Sequence, residues 1–193
     1  MKKTLLTLSL LALFLVGCGN KEVKEEKQKV TPIETKAYKD YPDWVFQPDY
    51  KGGVAAVGQA KIGQAGLAFA KQEALANGRS ELARMIEIQV DDMFKNYVNA
   101  VGVGGQDGVE KVTTSVTKQV SSVAIKGSKQ VNFWINKENT EVFVLVAVSN
   151  EDLKKQTLDI TKSTLGNDQA LWQEFKSQKA QDELDAAVNK QFK

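Results

Sequence analysis

The chain has 193 residues, of which 42% are apolar and 26% charged, enough for one domain of about 100 to 150 residues with extensions. Its formal charge is +2, and since Lys2 and Lys3 both lie in the opening segment the remainder carries 24 basic against 24 acidic residues, a balance that argues against nucleic acid as a partner. There is no histidine, and Cys18 is the only cysteine, which excludes an internal disulfide and the Ser-His and Cys-His nucleophile pairs.

Met1-Lys2-Lys3 forms a short positive region, Leu5 through Val16 an apolar run, and Leu15-Val16-Gly17 leads to the cysteine where a signal peptidase would cut. The apolar run is about a dozen residues, short of the roughly 20 that a membrane-spanning helix requires. Residues 1–17 therefore read as a signal peptide. Leu15-Val16-Gly17-Cys18 also resembles the bacterial lipobox, in which the cysteine sulfur receives a diacylglycerol, cleavage follows just before it, and the new amino group is acylated. That resemblance implies lipidation at Cys18 by palmitate-like chains. Each buried methylene contributes about 0.8 kcal/mol, so two or three chains hold a protein on membrane lipid almost permanently. Gly19 rather than Asp follows the cysteine, a pattern similar to lipoproteins sorted to the outer membrane.

Residues 18–40 read as the acylated cysteine and a solvated tether, because Lys21 to Lys29 mixes both charges and offers little to bury. The folded domain is expected to start at Tyr41-Pro42-Asp43-Trp44-Val45. Val54 to Ala60, bounded by glycines, predicts a buried strand. Leu75, Leu82, Ile86, Met93 and Tyr97 recur at steps of seven and four and predict a helix over 64–100. Ala68, Ala70, Ala74, Ala76 and Gly78 are small enough to let its first half approach a sheet closely.

Gly102 to Gly108 breaks that helix. Its glycines lack both phosphate-binding orders, and they follow a helix where a nucleotide loop follows a strand. Val109, Val112, Val116, Val120 and Val123 then repeat at three or four and predict a second helix. Ile125, Val131, Phe133 and Ile135 share one face of a strand, and Val142, Val144, Val146 and Val148 share a face of the next, joined through the polar loop 136–139 as an antiparallel hairpin. The second strand carries Phe143, Leu145 and Ala147 on its other face, which predicts a central position. Ser149 is placed to cap a helix whose first turn holds Glu151 and Asp152.

The lipobox, Pro42-Asp43-Trp44-Val45, Gly58-Gln59-Ala60, Ala76 to Ala83 and Glu141 to Val146 come in an order that resembles the LPP family of roughly twenty-kilodalton bacterial surface lipoproteins. The resemblance covers about residues 40–155. It implies a compact α+β domain on the cell envelope, related to modules in some flagellar-motor proteins and without an established enzymatic activity.

The expected fold is thus α+β: a small antiparallel sheet of about three strands packed against a long helix and a second helix, with a C-terminal helical extension. The expected division is 1–17, 18–40, an LPP-like domain over 41–162, and the extension over 163–193. Arg79 is expected to pair with a carboxylate or to satisfy carbonyls, and Trp44 to plug the end of a core. Ser115-Val116-Thr117-Lys118 matches S-x-x-K, but no S-D-N or K-T-G companion accompanies it. Asp91 and Asp92 are adjacent on a helix and point apart. No recognised ligand spacing calls for a metal, and no cofactor is expected.

In the extension, Asn167-Asp168 predicts a cap for a helix running to about Gln191. Its two apolar groups, Leu171, Trp172 and Phe175 against Ala180, Leu184, Ala187, Val188 and Phe192, point in different directions, because Leu171 and Leu184 differ by roughly 140°. Either the helix bends near Ser177, or Leu184, Val188 and Phe192 are left as a partner surface. The functional expectation is a non-enzymatic structural or adaptor lipoprotein, with an envelope protein or a second copy as partner. The alternative is a carrier for a small hydrophobic or glycan ligand held between the sheet and the long helix.

Overall fold

The computed structural model describes residues 39–102, 106–167, 172, 173 and 175–193, the side chains of 106 and 107 excepted. The leader over 1–17, Cys18, the tether up to residue 38, the glycines of the 103–105 turn, Asp168 and Leu171 lie outside the described residues. Residues 39–193 form one compact unit.

Three strands make the sheet: β1 (Gly53–Lys61), β2 (Lys129–Ile135) and β3 (Glu141–Ser149), in the order β1-β3-β2 with both pairings antiparallel. β3 is central, as its two apolar faces require. The hairpin between β2 and β3 closes on Asn136, whose Oδ1 accepts from the Thr140 and Glu141 amides at 2.8 and 3.0 Å while Nδ2 donates to Thr140 Oγ1. Asn139 takes φ 55°, a left-handed position that asparagine tolerates.

Register sorts the side chains into two layers. Val142, Val144, Val146 and Val148 of β3 lie beside Ala60, Gly58, Ala56 and Val54 of β1, and with Phe133 and Ile135 they face the helices. Phe143, Leu145 and Ala147 lie on the outer face beside Gln59, Val57 and Ala55. One expectation fails here: Val131 falls at a register shift between Gln130 and Asn132, so it leaves the apolar face and is 39% exposed. An extra residue in one strand breaks the two-residue alternation on which the expectation rested.

Helix α1 (Asp43–Phe46) precedes the sheet, and α2 (Gly66–Val101) covers its inner face. The buried positions of α2 run Ala70, Ala74, Gly78, Leu82, Ile86, Val90, then Met93, Phe94 and Tyr97. Steps of four overshoot a full turn by about 40°, so the buried stripe winds around this long helix. With this winding Leu75 packs on the core from its flank, partly buried, while of the small residues expected to approach the sheet Ala70, Ala74 and Gly78 are buried and Ala68 and Ala76 are exposed. Gly102, at φ 73°, ends α2 by donating its amide to the Val98 carbonyl at 3.0 Å.

Helix α3 (Gln106–Gly127) packs on α2 through Val112, Val116, Val120 and Ala124. Here too the spacing drifts, and Val123 is 37% exposed where a core position was expected. Ile125, expected in a strand, belongs to α3.

Helix α4 (Asn150–Gly166) begins at the expected cap, with Ser149 Oγ accepting from the Asp152 amide at 3.1 Å. Helix α5 (Gln178–Gln191) starts at a second cap, Ser177, whose Oγ accepts from the Ala180 amide at 3.1 Å. The chain therefore turns at Ser177, and α5 packs back on α2 and α4. Leu184 and Val188 are fully buried and Phe192 is 1% exposed. This overturns the partner surface expected at Leu184, Val188 and Phe192: the break at Ser177 frees the second apolar group to face the chain's own core. Asn150 Nδ2 donates to the Lys193 carbonyl and ties the end of α5 to the start of α4.

Candidate functional site

Among the described residues no long-range cluster of reactive groups emerges, and the candidate features lie at interfaces between elements. The first is the seam between α2 and β1. A Cβ placed on Gly58 would overlap the Ala74 carbonyl oxygen and the Gly78 nitrogen and come 2.8 Å from Gly78 Cα. Gly58 and Gly78 thus meet backbone to backbone, and no ligand fits between them. Beside the seam, Asn77 Nδ2 donates to the Gln59 carbonyl at 2.9 Å, and Gln59 Nε2 donates to Glu141 Oε1 at 2.9 Å. The motifs Gly58-Gln59-Ala60 and Ala76-Asn77-Gly78, far apart in sequence, form one lock that joins α2, β1 and β3.

Among the described residues Arg79 reaches neither a carboxylate nor a carbonyl. Its Nε donates to Ser128 Oγ at 3.3 Å, and that hydroxyl donates to the Ile125 carbonyl at 2.6 Å. The guanidinium thereby fixes the turn between α3 and β2 against α2. Glu87 does the same lower on the helix by accepting from Ser121 Oγ at 3.1 Å.

The outer face of the sheet holds the second feature. Trp44 of α1 packs on Ala55, Leu145 and Ala147 with Val57, closing a small second core as expected for it. Next to it stands an aromatic cluster that the sequence reading missed. The Tyr41 ring lies 4.6 Å from Trp134, 5.4 Å from Phe143 and 5.7 Å from Phe46, and Trp134 lies 5.5 Å from Phe143. Phe46 is 55% exposed and Tyr50 37%. The signal was present in the strand alternation: Trp134 and Phe143 both fall on the face opposite the valines. Lys137 and Asp40 pair at 2.7 Å at this end of the domain.

The remaining candidates are dispersed. Ser115 Oγ accepts from Gln119 Nε2 at 2.9 Å and lies with Thr114 and Lys118 in an open depression on α3. Asp91 pairs with Lys95 at 2.5 Å along α2, which holds the Lys95 ammonium above its ordinary pKa, while Asp92 is exposed. A half-open groove of about 220 Å³ runs between α2 and α5, lined by Tyr97, Ala100, Glu183 and Lys190 among others. Burial pushes the Tyr97 hydroxyl up to about 12. Among the described residues, no group of three or more Cys, Asp or Glu side chains is placed to hold a metal ion, and no helix is long and apolar enough to cross a membrane.

The model of the LPP20 lipoprotein family matches residues 42–149, from the residue before α1 to the last residue of β3. That span includes the Gly58–Gly78 seam, the Asn77–Gln59–Glu141 lock, Arg79, and Trp44, Trp134 and Phe143 of the outer face, and it leaves out Tyr41, α4 and α5. No curated protein matches the chain. More than half of the sequence lies within the match, so the chain belongs to the LPP20 lipoprotein family, bacterial lipoproteins of the cell envelope.

Proposed function

We propose that the protein is a non-enzymatic structural or adaptor module, held by lipid on Cys18 at the outer membrane. The filled α2–β1 seam carries this reading. A carrier of a hydrophobic or glycan ligand calls for a pocket of several hundred Å³ between sheet and long helix, and that space is occupied by the backbones of Gly58 and Gly78. In contrast, apolar side chains stand open at the start of α2, where Leu67 is 41% and Phe69 58% exposed. Leu67 and Phe69, two positions apart at one end of the helix, offer apolar surface that a protein partner could cover.

The anchor is tested by replacing Cys18 with Ser. The variant is expected to leave the membrane fraction as a folded protein, since no described helix holds a bilayer. Retention on membranes after a high-salt wash would overturn the anchor. The adaptor role is tested in intact envelopes with a photo-crosslinking residue at Phe69 and, as control, at exposed Gln72. Discrete protein adducts at Phe69 alone support it. Native mass spectrometry showing a bound lipid or glycan in the detergent-free Cys18→Ser protein would favour the carrier.

A further inference from the structure

The segment 41–50 lies on the outer face of the sheet, from the aromatic cluster at the Trp134 and Phe143 end to Tyr50 beside Gly53. Phe46 rests on the Tyr41 ring and turns more than half of its surface outward. Tyr41, Trp44 and Trp134 on the same face are half-buried, each with an apolar body and a polar tip. A face that carries Tyr and Trp beside an exposed Phe has the composition that prefers the headgroup level of a bilayer.

Chain connectivity selects the occupant. The twenty residues between Cys18 and Lys39 reach at most about 75 Å whatever their conformation. Tethering within that radius holds the domain at an effective concentration on the order of 1 mM at the leaflet. Tyr41, Trp44 and Phe46 are the first aromatic residues after the tether over 18–40, so even a weak interfacial preference is enough to seat them. Charge does not select a competing anionic partner: the segment 39–51 carries Lys39 and Lys51 against Asp40, Asp43 and Asp49.

We infer that the outer face of the sheet, through Phe46 and Tyr50 with the Tyr41, Trp44 and Trp134 rings of the same face, docks on the lipid surface of the leaflet that holds the anchor. The inference rests on the Cys18 reading. It orients the domain with its outer face to the lipid and α2 away from it, so that Leu67 and Phe69 remain available to a protein.

The test uses the acylated full-length mature protein reconstituted in phosphatidylcholine vesicles whose acyl chains carry bromine near the headgroup, with tryptophan fluorescence as the readout. Flotation with the vesicles together with strong quenching that persists in high salt is the expected result. Phe46→Ser and Tyr50→Ser together should reduce the quenched fraction by about half or more while flotation and the thermal midpoint persist. Trp172→Phe, outside the cluster, should leave the quenching in place. Flotation of the parent without quenching, or quenching unchanged by the double substitution and lost on Trp172→Phe, overturns the inference while the anchor stands. Failure of the acylated parent to float overturns both.

Discussion

At the scale of single residues, the seam depends on the absence of two side chains. Gly58→Ala forces a methyl into the Ala74 carbonyl and the Gly78 amide, backbone atoms of a long helix that have no rotamer by which to yield. The expected loss is about 3 kcal/mol or more, read as a lowered urea midpoint. Gly63→Ala is the control, because a Cβ there meets nothing within 4 Å and its φ lies outside the left-handed region. Equal effects from the two would mean that α2 and β1 do not meet at these glycines. Tyr97 gives a pH signature. Its hydroxyl is held up to about 12 in the folded chain, against about 10 in the unfolded one. Between those values the unfolded state releases a proton that the folded state keeps, so this group's contribution falls as pH rises from about 10 to about 12 and is level below that window. Tyr97→Phe should flatten the part of the alkaline loss that belongs to this group, measured as the difference between the two proteins' stability profiles.

Among the elements, α4 and α5 are built from different materials. The buried stripe of α5 is Ala180, Leu184 and Val188, followed by Phe192. That of α4 is Leu153, Thr157, Thr161 and Leu165, and the two threonine hydroxyls are fully buried with no hydrogen-bond partner among the described residues. An unsatisfied buried hydroxyl costs about 1 to 3 kcal/mol. Replacing it with a methyl of nearly the same shape removes that penalty and adds apolar burial. Thr157→Val and Thr161→Val are each expected to raise stability by about 1 kcal/mol, seen as a higher thermal midpoint. A drop of similar size for either would show that its hydroxyl is bonded in solution. The glycine C-cap of α2 and the serine caps of α4 and α5 bound their elements sharply, so these changes act on packing and leave helix length alone.

The molecule as a whole extends beyond the family match. Residues 150–193 lie outside the matched span and yet belong to the same compact unit, with α5 against both α2 and α4. Truncation after Lys176 removes Ala180, Leu184, Val188 and Phe192 and uncovers Met93 and Tyr97 on α2. Each buried Leu, Val or Phe contributes about 1.5 to 3 kcal/mol, so the loss should be several kcal/mol. A large fall in the thermal midpoint, with dye binding to the uncovered surface, is the expected outcome. An unchanged midpoint would return α5 to the role of a free helix.

The sequence by itself determined the local elements. The valine alternation of β3, the polar hairpin loop, the Ser149 cap and the long helix are each written in neighbours two to four residues apart, where backbone geometry fixes which side chains share a face. The order of the small motifs likewise pointed to the family before any contact was known. What only the tertiary structure decided are the features that depend on accumulated angle or on residues far apart. A drift of about 40° per four-residue step moved Leu75 to the flank of the core, where it is partly buried, and one extra residue turned Val131 outward. The turn at Ser177 was legible as one of two options, but whether Leu184, Val188 and Phe192 face the chain or a partner depends on the free surface that α2 and α4 offer, which no local pattern encodes. The aromatic cluster on the outer face has the same origin: Tyr41 and Phe143 stand about a hundred residues apart, and only the β1-β3-β2 order brings them together.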